Sequence, residues 1–311
     1  MVIIRSQKLL KLLNLPAFFT LAEFSELIHV NANRLYLFSR FSYRYYRKFK
    51  IPKKSGKFRK IKQPSKNIKA IQAWILRNII DKFQPSLYAT AFQKGKGLIG
   101  NVNPHQNNRY YLIVDLEDFF PSISRHRIAN IFTLMGYCKR AAKILSQLCT
   151  CDDSLPQGGI TSPALSNLVA AQLDRRLAGY TSRRNIVYTR YADDLTFSSN
   201  NPEILNKAYS VIKRIIQNEH FVINNNKLRF LGPRRCCKIT GLVKDSSKPL
   251  FGIGRKKERE MRAVMHSFTI KKIPDPRYPS EASINGWLAY VYSIDSTAHL
   301  RLLKYWKKLC A

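Results

Sequence analysis

Acidic residues are scarce in this chain: 19 Asp and Glu stand against 54 Lys and Arg in 311 residues, a formal charge of +35. Self-repulsion on that scale costs stability, and binding a polyanion that sheds condensed counterions offsets it, so nucleic acid is the expected partner ahead of an anionic membrane surface. No run of 18 or more uncharged apolar residues occurs, which excludes a transmembrane helix candidate. Cysteine is sparse as well: Cys138, Cys149, Cys151, Cys236, Cys237 and Cys310 form neither a Cys-x-x-Cys pair nor a zinc-ribbon spacing. They read as free thiols in a reducing cytoplasm. Internal repeats and low-complexity tracts are also lacking. What is present, 45% hydrophobic and 12% aromatic residues, suffices for a folded body of enzyme size and excludes a disordered basic tail.

The missing acids are unevenly missing. Between Glu26 and Asp81 there is none, while Arg40, Arg44, Arg47, Lys48, Lys50, Lys53, Lys54, Lys57, Arg59, Lys60, Lys62, Lys66 and Lys69 follow one another, interleaved with Phe41, Tyr43, Tyr45, Tyr46, Phe49 and Phe58. An ordinary solvated helix face would carry Glu at i, i+4 to balance them. A surface that tracks phosphates, with rings available to stack on bases, explains the pattern better. Ser55-Gly56 marks a turn, so 45–51 and 57–62 are expected to pair as exposed strands.

Elsewhere periodicity assigns the elements. Arg5, Lys8 and Lys11 ahead of an apolar stretch imitate a secretion signal, but Pro16 interrupts it and no small-x-small site follows. An amphipathic helix through Leu9, Leu10, Leu12 and Leu13 is expected instead, packing on the body or on a partner. Ile68, Ile71, Ile75, Ile79 and Phe83 mark a buried helical stripe ending before Pro85. Residues 93–108, rich in Gly, Asn and Lys, read as loop. Residues 110–114 form an apolar strand that delivers Asp115 at its end. Helix is expected over 125–150, 164–177 and 202–218, and strands at 186–191, 195–198, 221–224 and 238–243. Beyond Gly252 come a basic amphipathic helix, 255–268, and two more helices.

In so acid-poor a chain, Asp193-Asp194 at a hairpin tip and Asp115 at the end of another strand stand out. Two divalent cations about 3.5–4 Å apart need carboxylates from more than one backbone segment. Neighbouring strands carrying these three acids would supply them: one ion activates an attacking hydroxyl while the other holds a triphosphate and its leaving pyrophosphate.

Val114-Asp115-Leu116-Glu117-Asp118-Phe119-Phe120, Leu155-Pro156-Gln157-Gly158-Gly159-Ile160-Thr161-Ser162-Pro163 and Tyr191-Ala192-Asp193-Asp194 resemble, in that order, the A, B and C motifs of reverse transcriptases. Asn101-Val102-Asn103-Pro104-His105 resembles the Asn-Ala-x-x-His element of the retron branch, with Val102 for Ala, and Ile239-Thr240-Gly241 resembles its Val-Thr-Gly element, with Ile239 for Val. The similarity spans about residues 45–300.

The resemblance implies an α+β right-hand polymerase. It divides the chain into an N-terminal helical extension (1–44), fingers (45–108 and 124–154), a palm with an antiparallel sheet (109–123 and 155–248) and a small helical thumb (249–311). It implies catalytic Asp115, Asp193 and Asp194, with Leu116 among the positions holding two Mg²⁺ ions, and Lys227 as general acid toward pyrophosphate. Arg59 and Lys54 would grip the deoxynucleoside triphosphate, Phe120 would exclude a ribose 2′-OH, and Gln157 and Gly158 would line the sugar. Asn101, His105, Ile239, Thr240 and Gly241 would contact a cognate structured noncoding RNA. Such an enzyme would prime from the 2′-OH of an internal guanosine and make branched, RNA-linked single-stranded DNA. It would serve antiphage defence beside a separate effector protein. The 70 residues after Gly241 are too few for an RNase H domain, so template removal would fall to a host RNase H. The alternatives are another bacterial reverse transcriptase, of CRISPR-associated, diversity-generating or abortive-infection type, and a noncatalytic RNA-binding scaffold.

Overall fold

The computed structural model describes residues 2–52, 56, 58–233, 236–244 and 250–310. Three helices, α1 (Val2–Leu12), α2 (Leu21–Leu27) and α3 (Ala32–Arg40), open the chain. They are no appendage: Leu10, Leu15, Phe18, Phe24, Leu35 and Phe38 are buried in the main core. Of the four leucines expected to pack, Leu10 does so fully, while Leu12 stays 82% exposed. Thr20 and Asn31 cap α2 and α3 by accepting backbone N–H bonds.

The basic stretch forms the expected hairpin of β1 (Tyr46–Pro52) and β2 (Phe58–Pro64), paired from Tyr46↔Pro64 to Pro52↔Phe58. Lys54 and most of the turn lie outside the described residues. Helix α4 (Lys66–Asn78) follows, burying Ile68, Ile71 and Ile75. The stretch expected as loop instead winds into α5 (Leu98–Val102) and a 3₁₀ turn, Asn103–His105, because buried polar partners elsewhere in the chain satisfy its side chains.

Strand β3 (Tyr110–Asp115) leads to α6 (Arg125–Leu134) and α7 (Lys139–Cys149). The single helix expected there breaks at Gly136, whose φ of +106° no helix accommodates. Helices α8 (Ser162–Val169) and α9 (Ala171–Ser182) similarly divide at Ala170. Then come β4 (Val187–Tyr191), β5 (Asp194–Ser199), α10 (Pro202–Asn218) and β6 (Arg229–Leu231). Asn201 accepts N–H bonds from Glu203 and Ile204 and Pro202 takes the first turn, which sets the start of α10 where the sequence placed it. Residues 221–224 do not form the expected strand: a lone bridge joins Ile223 to Leu116, and a 3₁₀ turn, Asn225–Lys227, follows.

The central sheet has the order β4-β5-β3-β6, all antiparallel. Its two faces follow the period of two along each strand. Leu112, Val114, Tyr188, Leu195 and Phe197 enter the main core with Leu173 and Leu177 of α9 and Leu205 and Ile212 of α10. Tyr111 and Ile113 point the other way, into a smaller cluster with Val102, Cys237, Ile239, Leu242 and Phe251. That cluster seats a second hairpin, β7 (Cys237–Ile239) with β8 (Leu242–Lys244), where one strand was expected. Thr240 at φ +46° and Gly241 at φ +89° make the two-residue turn.

Helices α11 (Arg255–Thr269), α12 (Glu281–Tyr292) and α13 (Ser296–Cys310) build a separate core around Met265, Ile284, Trp287, Leu302 and Trp306. Arg301 clamps Glu258 across α13 and α11 with bonds of 2.9 and 2.8 Å. Among the described residues no helix is long and apolar enough to cross a membrane, and the six cysteines are free thiols.

Candidate active site

Strand pairing alone brings the three acids to one edge of the sheet. Asp115, the last residue of β3, pairs with Asp194, the first of β5, and Tyr191 pairs with Asp194 from the other side. Directly opposed residues point to the same face with Cβ atoms about 5 Å apart. Ala192 and Asp193 make the connecting turn, and the backbone N–H of Leu116 donates to Asp193 O at 2.9 Å. Ala192 takes a φ of +58°, a conformation strained for a residue with a Cβ.

A buried ion pair holds that strained turn. Arg190, fully buried, donates Nε and one terminal nitrogen to the two carboxylate oxygens of Asp174, both at 2.7 Å. Its other terminal nitrogen donates to Asn167 Oδ1 at 3.1 Å and to the Ala192 carbonyl at 3.2 Å. Tyr188 OH completes the set by donating to Asp174 Oδ1 at 2.8 Å. No local sequence pattern marks Asn167, Tyr188 or Arg190 for this role. The available signal was Asp174 itself, an acid on the same helical face as Ala178 and Thr181, which are buried with it.

Asp115 is 4% exposed and both its oxygens are engaged. Lys227 Nζ donates to Oδ2 at 2.7 Å and Asn224 Nδ2 to Oδ1 at 3.1 Å, while Asn224 N donates to the Asp115 carbonyl at 2.9 Å. No local sequence pattern marks Asn224 for this role. Burial raises the carboxyl of Asp194 to about 7, with the neighbouring charges of Asp193 and Asp115 adding to the rise. Asp193 is raised too, chiefly by burial and then by Asp115, against the lowering influence of Lys227 and Arg59. Burial works against the ammonium of Lys227, yet its bond to Asp115 and the two further acids raise it overall.

Carboxylates that repel one another in a half-buried edge suit divalent cations, and the donor set is the hard oxygen type such ions prefer. Among the described residues, no three His, Cys, Asp or Glu side chains already stand arranged around one ion position. Lys227 supplies the positive charge at Asp115 instead. The residues therefore fit a cation site by charge, chemistry and register, with Lys227 as the group that yields.

Of the predicted nucleotide-binding residues, Arg59, Phe120, Gln157 and Gly158 are among the described residues and Lys54 is not. Arg59, exposed on β2, is close enough for its charge to act on Asp193. Half-buried Phe120 lies between Phe119 and Phe92, ring centroids 5.5 and 6.2 Å away. The Gln157 carbonyl accepts Lys62 N–H at 2.9 Å, binding the B-motif loop to β2. Gly158, at φ +125°, passes so near that a Cβ there would sit 2.9 Å from the Lys62 carbonyl. Fully buried Gln72 secures the same loop: its Oε1 accepts Ile160 N–H at 3.0 Å and its Nε2 donates to Tyr46 OH and the Leu148 carbonyl.

The residues expected to touch RNA divide in two. Thr240 and Gly241 occupy the tip of the β7–β8 hairpin, Thr240 half-buried and Gly241 exposed, while Ile239 is buried beneath them. Asn101 and His105 correct the expectation: both are 0% exposed. Their side chains bond Thr90, Thr189 and Ser198 and face the protein interior rather than a surface open to RNA in this structure. Burial drives the His105 imidazole down to about 3, so it is neutral.

Comparison with known proteins agrees with this architecture. The sequence profile described as "Reverse transcriptase (RNA-dependent DNA polymerase)" matches residues 51–243. The retron Ec86 reverse transcriptase of Escherichia coli is 37% identical over 302 residues, covering 96% of this chain and 92% of that protein. The retron Mx65 reverse transcriptase of Myxococcus xanthus is 32% identical over 279 residues, 84% of this chain and 64% of that protein. Among solved structures, telomerase from Candida albicans in complex with a TWJ fragment of telomeric RNA superposes with a TM-score of 0.51 at 10% identity, over 83% of this chain and 55% of that one. At that identity the likeness speaks for the right-hand fold.

Proposed function

The chain belongs to the retron reverse transcriptases, RNA-directed DNA polymerases, and from that premise we propose that it copies one structured noncoding RNA encoded beside its gene. Synthesis starts from the 2′-OH of an internal guanosine and leaves a branched, RNA-linked single-stranded DNA. Residues 45–108 and 124–154 serve as fingers, 109–123 and 155–248 as palm, and 249–311 as thumb, with 1–44 a helical extension folded into the same core. Antiphage defence beside a separate effector, and template removal by a host RNase H, complete the reading by analogy with the family.

The observation that carries the catalytic part is the pairing of Asp115 with Asp194 beside Asp193. Asp115, Asp193 and Asp194, with Leu116 immediately after Asp115, would hold two divalent cations, taken as Mg²⁺. Bound there, the ions lower the pKa of the attacking hydroxyl and neutralise charge on the triphosphate. Arg59 and Lys54 hold the triphosphate. Phe120 closes the space where a ribose 2′-OH would lie, and Gln157 and Gly158 line the sugar from a loop that buried Gln72 keeps rigid. Lys227, its side chain 60% exposed, turns from Asp115 to protonate the departing pyrophosphate. Replacing Asp193 and Asp194 together by Ala should reduce Mg²⁺-dependent deoxynucleotide incorporation by more than about a thousandfold, since the charge-stabilising groups are removed outright. RNA binding should persist, and incorporation surviving the change would refute the assignment.

A further inference from the structure

Asn101 and His105 lie deep between two features of the enzyme, and their hydrogen bonds run to both. On one side is the catalytic strand pair. Asn108 Nδ2 donates to Ser198 Oγ at 2.7 Å, and the same oxygen lies 2.6 Å from His105 Nδ1. Thr189 gives its one hydroxyl proton to Asn101 Oδ1 at 2.8 Å, so Nε2 of the neutral His105 ring is the donor to Thr189 Oγ1 at 2.8 Å and Nδ1 accepts from Ser198. Thr189 belongs to β4, two residues before Tyr191, and Ser198 to β5. Thr90 Oγ1 joins the chain, 3.1 Å from Asn101 Oδ1 and 3.0 Å from the carbonyl of Arg190, the residue that holds the Ala192 turn.

On the other side is the β7–β8 hairpin. With Asn101 Oδ1 turned to the threonines, its Nδ2 faces Thr240 Oγ1 at the hairpin tip, 3.4 Å away. The hairpin is fastened along its length to the same segment. Ile239 and Leu242 pack with Val102, Tyr111 and Ile113. Lys244 Nζ donates to the Gln106 and Asn108 carbonyls and to Tyr111 OH. The alternation of the strands puts Thr189 and Ser198 on the sheet face that carries Asp115 and Asp194.

We propose that Asn101 and His105 are positioning residues that lock the tip of the β7–β8 hairpin to the catalytic strands, so that the structured RNA read at Thr240 is presented in a fixed register to the acids. The inference rests on the reading of the hairpin tip as a contact for the cognate RNA, and deepens it: the two buried residues act on RNA choice through Thr240 and Thr189.

The test measures the affinity of the whole chain for two probes. One is RNA transcribed from the inverted-repeat region upstream of its gene, and the other is a scrambled RNA of equal length. Thr240→Val and Asn101→Leu should each cut the cognate-to-scrambled ratio roughly five- to tenfold, the scale of one hydrogen bond. The double variant should fall no further than either alone, because both remove one link. Thr189→Val should produce the same selective loss and Thr189→Ser should recover it, which decides the matter even if Asn101→Leu does not fold. Additive losses in the double variant, equal weakening of both RNAs, or an unchanged ratio in Thr189→Val would overturn the inference while Thr240→Val retains its effect. An unchanged ratio in Thr240→Val would instead overturn the RNA reading of the tip, and this inference with it.

Discussion

The two hairpins to which the proposed chemistry is assigned are built on opposite principles. The β4–β5 hairpin is largely buried, strained at Ala192 and held by the buried hydrogen bonds of Arg190 and Asp174. The β1–β2 hairpin is exposed along nearly its whole length. It is tied down at one end, where Lys48 and Lys62 meet Asp152 at 2.8 and 3.0 Å and Lys62 N–H meets Gln157. Ångström placement of carboxylates needs buried, directional partners. Attraction of a phosphate chain needs only many cations of one sign, each of small individual weight.

If that contrast is right, single substitutions should differ sharply in cost. Replacing Arg190 by Leu leaves Asp174 buried without its cation, and should lower unfolding stability by about 3–5 kcal/mol in urea denaturation. A loss near zero would mean that the ion pair does not anchor the turn. The His105 network should respond to acid in a defined window. The imidazole titrates near 6.5 once unfolded and near 3 in the fold, so the unfolded state binds the extra proton between those values. Its contribution is thus intact above about pH 6.5 and drains away as pH falls toward 3. His105→Gln should flatten that part of the stability profile, and an unaltered slope would place the acid sensitivity elsewhere. The smallest effect belongs to the other hairpin. Lys60→Ala should weaken cognate and scrambled RNA alike by a few-fold and reduce the salt slope by about one. A larger, sequence-selective loss would show that this hairpin also places its ligand with precision.

The same contrast explains what was legible in the sequence. The apolar run of β3, the basic hairpin and α10 announce themselves through local pattern, and the acids at strand ends follow from them. Asn101 and His105 do not, because polar residues in a stretch rich in Gly, Asn and Lys look solvated. Their partners, Thr189, Ser198 and Thr240, lie in distant parts of the chain and meet them only once the sheet has formed. Arg190 was hidden in the same way by Asp174, and the turn at Thr240-Gly241 is short enough for β7 and β8 to read as one strand. Local periodicity reports backbone and burial, whereas buried polar pairing is a property of the assembled fold.

The central claim is that acids from two strands form one divalent-cation site. Mn²⁺ binding, followed by electron paramagnetic resonance with primer-template and a non-hydrolysable deoxynucleotide analogue present, tests it most directly. Two bound ions are predicted for the native chain, with loss of tight binding in Asp115→Asn and in Asp194→Asn alike. Undiminished Mn²⁺ occupancy in Asp115→Asn would contradict the account, because the β3 acid would then have no share in the site.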